Sequence, residues 1–184
     1  ADTLLEYSVK SFLLLAVPAI AGSALLAMPA LELLANHEVA LAGRFVVPLV
    51  MMSSTVYGLV WILNGLLFVE KRTGTTLVVS VATGMLKMVL GIMALVLHTG
   101  LIGVGVATLV AQIVGFTIIF RKVRNRVRGA CEWDFLVKVA LATALMCGVV
   151  AVMHSRIPVF VGNASQLGLM VMVGAIAYLA GLLA

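Results

Sequence analysis

Residues 75–97 read TTLVVSVATGMLKMVLGIMALVL, an apolar stretch carrying a single charge, Lys87. A helix of this length crosses a hydrocarbon core of about 30 Å. The stretch lacks the strict alternation of a strand, and an open sheet in lipid would leave backbone groups unpaired. Five further blocks of the same kind flank it: Ser8–Leu34, Val39–Val69, Ile102–Phe120, Asp134–Met153 and Ala164–Ala184. The expected fold is therefore all-α, a polytopic bundle of about six transmembrane helices. Composition agrees. Of 184 residues, 64% are hydrophobic and 10% charged, with mean hydropathy +1.24. A soluble domain averages about 25% charged residues, so too few polar groups are present to cover a water-facing surface.

Prolines inside these blocks are tolerated as kinks in membrane helices. Pro18 and Pro48 predict bends in the first two. The basic residues mark topology rather than nucleic-acid binding. Nine of the twelve fall on one side: Lys10, Lys71, Arg72, Arg121, Lys122, Arg124, Arg126, Arg128 and Lys138. Arg44 and Arg156 fall on the other, and Lys87 lies within a helix. This bias predicts a multi-pass protein of the cell membrane with both ends of the chain cytoplasmic. Trp133 falls at a membrane boundary, and Asp134 is placed to cap the fifth helix. The chain starts at Ala1 without a Met and stops within an apolar run, which suggests a piece of a longer polytopic protein.

Lys87 is the most informative residue. An ammonium near the bilayer midplane costs at least about 2.5–3.5 kcal/mol unless it faces protein or water. Helical spacing puts Thr76, Ser80, Thr83, Gly84, Lys87 and Gly91 on one stripe, with Val78, Val81, Met85, Val89, Ile92 and Val96 opposite. Lys87 therefore points into the bundle or a cavity. No carboxylate in these blocks lies at its depth, so its partner is either another part of the protein or a bound anion. Snorkelling to the interface is the structural alternative.

A second stripe, Ser54, Tyr57, Gly58, Trp61, Asn64, Gly65 and Phe68, mixes aromatic faces with hydrogen-bonding groups. It suits a path for a sugar or lipid headgroup, although packing through Gly58 and Gly65 accounts for the same pattern. In the fourth block Gly105, Thr108, Gln112 and Gly115 share a face. Packing explains that stripe, and Gln112 is its one group suited to a cavity. Arg44 lies near an outer boundary, where it would meet an anion or simply snorkel.

His37, His98 and His154 fall in outer turns without ligand spacing, and neither Cys131 nor Cys147 joins them, so no metal is expected. Asn163-Ala164-Ser165 matches a glycosylation sequon but also suits a helix N-cap. Phosphate loops, zinc-protease motifs and nucleophile triads are absent. The composition and motifs point away from an enzyme and imply no catalytic residue and no cofactor.

Residues 80–116, SVATGMLKMVLGIMALVLHTGLIGVGVATLVAQIVGF, hold a short turn built on Gly100, Gly103, Gly105, Ala107 and Thr108. Upstream, residues 64–80 read NGLLFVEKRTGTTLVVS, a helix end followed by a short basic turn. Together with the first block and its Pro18, these segments resemble the polysaccharide flippases of the MATE-like (MOP) superfamily. The resemblance covers about residues 1–125, four helices of the later part of the C-terminal lobe. Residues 126–184 would be a basic cytoplasmic loop and two additional helices. The whole would then be a transporter of twelve to fourteen helices, with the remaining N-terminal part as partner.

What the resemblance implies is a flippase that moves a lipid-linked oligosaccharide from the cytoplasmic to the outer leaflet by alternating access. Where that family often has Asn in the third of these helices, this chain has Lys87, which suits an anionic glycan carrier. The substrate path would take in Lys87, Asn64, Tyr57, Trp61, Arg44, Gln112, Thr83 and Ser80, with membrane lipids around it. Two alternatives stand beside it. A cation-coupled multidrug antiporter of the same superfamily is disfavoured by a lysine that repels cations. A non-transporting scaffold subunit would show a dry, closed bundle with Lys87 at its lipid edge.

Overall fold

The computed structural model describes residues 2–35, 37–69, 73–127, 133–156 and 164–183. They form α-helices: α1 (Asp2–Leu34), α2 (His37–Gly43), α3 (Val46–Val69), α4 (Thr73–Val96), α5 (Gly100–Val127), α6 (Trp133–Arg156) and α7 (Ala164–Leu183). Five of these carry stretches long and apolar enough to cross a membrane: Leu5–Leu34, Val46–Gly65, Thr73–Val96, Gly100–Val123 and Asp134–Val152. A shorter apolar helix covers Leu167–Leu182. The all-α polytopic architecture is thus as expected.

The details differ where local chemistry outranks hydropathy. The expected second block is two helices, because α2 ends at Gly43 and α3 starts afresh at Val46. Pro48 consequently sits in the first turn of α3, where its missing N–H costs nothing, and does not kink a long helix. Pro18 and Pro29 do lie inside α1. Helix α5 runs on past Phe120 to Val127, so its basic stretch is helical rather than loop. Helix α6 begins at Trp133, which puts Asp134 within its first turn, beside the positive end of the helix dipole, and not at the cap. His154 lies within α6, not in a turn. Asn163 and Cys131 fall outside the described residues.

Two compact units divide the chain. The first joins residues 1–13 to residues 49–131. Its core is Leu5 of α1, Val60, Leu63 and Leu67 of α3, Val79 of α4, and Ile119 and Val123 of α5. Helices α4 and α5 pack along each other. The second joins residues 14–48 to residues 132–184, with Ala142 and Met146 of α6 meeting Tyr178 of α7 and Leu14 of α1. Helices α6 and α7 pair in the same way.

Side chains are distributed as in a lipid-facing protein. Ala111 and Ala142 are fully buried, whereas Met88 and Val96 are each 69% exposed. Small residues let helices approach, and large apolar ones face outward, where lipid removes the penalty water would impose. The whole outer stripe of α4 from Val78 to Val96 is exposed in this way.

The turn between α4 and α5 positions the site. The His98 N–H donates to the Leu95 carbonyl and the Thr99 N–H to that of Ala94, the paired bonds of a Schellman motif. His98 takes the left-handed conformation this requires, with φ 54°, and Gly100 follows at φ 66°. The Thr99 hydroxyl donates to the Ala94 carbonyl at 2.8 Å. A Cβ at Gly103 would collide with that hydroxyl, so residue 103 must be small for α5 to start here. The three-residue connection sends α5 back antiparallel to α4 and sets Gly115 against Thr83.

Candidate functional site

The first unit contains a pocket of about 350 Å³ between α3, α4 and α5. Helix α3 contributes Tyr57, Trp61, Asn64 and Phe68, spaced so that all four share one face. Helix α4 contributes Thr76, Ser80, Thr83, Gly84 and Lys87, again a single stripe. Helix α5 contributes Gln112 and Gly115. The stripes that sequence spacing separates onto three helices therefore line one cavity.

Asn64, Thr76 and Gln112 are each more than nine-tenths buried. Among the described residues neither the Asn64 Oδ1 nor the Thr76 Oγ1 has a hydrogen-bond partner, although both atoms are shut off from solvent. Threonines deeper in the helices are satisfied locally. Thr83, Thr108, Thr117 and Thr143 all donate to the carbonyl four residues back, at 2.7–2.9 Å. Such back-bonding is the standard way to satisfy a hydroxyl in an apolar setting. Thr76 lies in the first turn of α4, so the carbonyl four residues back belongs to residue 72, outside the described residues. An unsatisfied buried polar group costs about 1–3 kcal/mol, so this wall holds hydrogen-bonding capacity in reserve.

Lys87 is exposed to the pocket, and among the described residues no carboxylate lines it and the ammonium makes no hydrogen bond or ion pair. Tyr57 and Trp61 meet edge to face, with ring centroids 6.3 Å apart and planes at 81°. The cavity thus combines one free cation, three buried neutral polar groups and a corner of two aromatic rings. Chemically it can attract an anion, exchange hydrogen bonds with hydroxyls or amides, and stack on an apolar ring face.

Of the residues singled out from sequence, Lys87, Asn64, Tyr57, Trp61, Gln112, Thr83 and Ser80 line this pocket. Arg44 does not. It belongs to the second unit, where its guanidinium sits 4.5 Å over the Phe45 ring. Ser54 and Gly65 of the α3 stripe also lie outside the lining, and Gly58 packs against Phe12 of α1. Sequence reasoning placed Thr76 on the right stripe without marking its hydroxyl as unsatisfied, a property spacing cannot show.

The second unit has its own groove of about 560 Å³, almost entirely apolar, between α1, α6 and α7. Pro18, Gly22, Met146, Gly174 and Tyr178 are among its walls. The Tyr178 hydroxyl donates to the Leu14 carbonyl at 2.7 Å. Among the described residues no three His, Cys, Asp or Glu side chains come together as a metal site requires. His37 instead faces Glu32, with Nδ1 2.8 Å from Oε1.

The long apolar helices define an all-helical, multi-pass membrane protein. A solved structure with this fold is the lipid II flippase MurJ in its inward closed conformation, which superposes with TM-score 0.80 over 98% of this chain at 19% identity. The chain spans 38% of the length of that protein. No protein-family model and no curated protein sequence matches the chain.

Proposed function

We propose that this chain is part of a flippase that carries a lipid-linked oligosaccharide from the cytoplasmic to the outer leaflet. The observation that carries the reading is Lys87, an ammonium without a partner among the described residues, in a pocket whose described lining residues include no carboxylate. A cation so placed gains most from an anionic ligand, and a phosphate or diphosphate linkage between lipid and glycan supplies one. The likeness to the MurJ fold supports membrane transport of a lipid-linked precursor. In this reading the cavity takes the headgroup while the lipid tail stays in the bilayer, and a further lobe completes the alternating-access machine. A multidrug antiporter would place a cationic substrate against the lysine and pay for like-charge repulsion.

The test exchanges charge at constant length. Lys87→Arg keeps the charge and should retain part of the transport. Lys87→Met removes it and should reduce flipping of the lipid-linked precursor about ten- to hundredfold, the equivalent of a lost charge-assisted hydrogen bond. Protein levels should stay near normal, because no buried partner is orphaned. Undiminished transport by a well-expressed Lys87→Met protein would remove the lysine from the substrate path.

A further inference from the structure

We infer that the Tyr57, Trp61 and Asn64 face of α3 is a subsite for an uncharged pyranose ring, distinct from the charge at Lys87. The inference rests on the transport reading and adds which atoms meet sugar rather than its anionic linkage. Tyr57 and Trp61 are 47% and 60% exposed, although both line the pocket. Their near-perpendicular rings form a corner. Pyranose rings present an apolar C–H face bounded by hydroxyls, so a ring face covers one side and leaves the edge for polar contacts.

Asn64 lies one helical turn beyond Trp61 and supplies the polar contact. Its Oδ1 meets no donor among the described residues. The Gln112 amide likewise makes no hydrogen bond among the described residues. The torsion that carries an asparagine amide is broad, so a small turn brings Oδ1 toward the cavity. An unpaired acceptor calls for a ligand that donates. A diphosphate offers only acceptors, whereas sugar hydroxyls and acetamido N–H groups donate as well. The pocket's volume of about 350 Å³ lies at the small end for ligand sites and suits one or two rings rather than a long glycan.

The test uses the full-length protein in a detergent without a sugar headgroup. The probes are methyl N-acetyl-β-glucosaminide, a neutral ring with both kinds of donor, and inorganic diphosphate. Saturation-transfer NMR should show saturable glycoside binding, with transfer strongest at the ring C–H protons. Trp61→Ala and Asn64→Leu should each weaken it about tenfold, and Asn64→Gln should retain part. Should Asn64→Leu fail to fold, Trp61→Ala, an exposed site, decides alone. Lys87→Met should weaken diphosphate binding and leave the glycoside unaffected. No saturable glycoside binding, or binding indifferent to Trp61→Ala, overturns the subsite and leaves the two rings as interfacial anchors. Full transport by Lys87→Met alongside Trp61-dependent glycoside binding would overturn the charge assignment and spare the subsite.

Discussion

The Tyr178 hydroxyl occupies the place that Pro18 leaves vacant: it donates at 2.7 Å to the carbonyl of Leu14, four residues before the proline. In an uninterrupted helix that carbonyl would accept from the N–H of residue 18, which proline lacks. A membrane interior offers no water to fill the vacancy, so a neighbouring side chain must. Tyr178→Phe should therefore lower stability by about 0.6–1.5 kcal/mol. Pro18→Ala should restore the backbone donor and shrink that loss. Thermal unfolding of both single variants and the double variant measures the coupling, and strictly additive effects would show that the phenol is not replacing the missing N–H.

Gly58 and Gly65 occupy equivalent positions on one stripe of α3, yet they should respond oppositely to Ala. A Cβ at residue 58 would run into the Phe12 ring, whereas residue 65 has open space around it. Gly58→Ala should destabilise by about 1–3 kcal/mol through overpacking. Gly65→Ala should be neutral or stabilise by about 0.4–1 kcal/mol through the entropy of the unfolded chain. Melting temperatures in detergent distinguish the two, and equal losses would contradict the packing described.

The α4–α5 contact makes a related prediction. A side chain at residue 115 would begin 2.7 Å from the Thr83 Oγ1 and 3.0 Å from its Cγ2, so Gly115→Ala should push the helices apart and distort the pocket they share. A cost of about 1–3 kcal/mol is expected. Thr83→Ala removes both crowding atoms, so the double variant should recover most of the loss. Failure of that rescue would mean the backbone, not Thr83, sets the helix separation.

Orientation is open to direct labelling. The charge bias predicts that the start of α4 lies inside the cell and α2 outside. In a background with Cys131 and Cys147 replaced by Ser, Gly74→Cys should resist an impermeant maleimide until the membrane is permeabilised. Gly74 is exposed with free space about it, so protection there reports sidedness rather than burial. Glu38→Cys, at an exposed position of α2, should react from outside in intact cells. The opposite pattern would invert the proposed topology.

The helices were legible in the sequence because hydropathy over a window as long as a bilayer is thick leaves little choice of structure. That is why the blocks around Lys87, Gln112 and Met146 correspond to α4, α5 and α6, with α5 extended at its C-terminal end through the basic stretch. Helical spacing likewise put Thr76, Ser80, Thr83 and Lys87 on one stripe, since 3.6 residues per turn is a local property. The tertiary structure decided what spacing cannot. The break after Gly43, which moved Pro48 into a first turn and left Arg44 in the other unit, depends on local backbone geometry that hydropathy averages away. That the Asn64 Oδ1 and Thr76 Oγ1 are buried without partners among the described residues, that Gly58 meets Phe12 while Gly65 has open space around it, and that Tyr178 reaches back 164 residues to Leu14 are relations between helices. A side chain's partner is set by which faces meet in space, and a single helix's sequence carries its own face but not the identity of the one opposite.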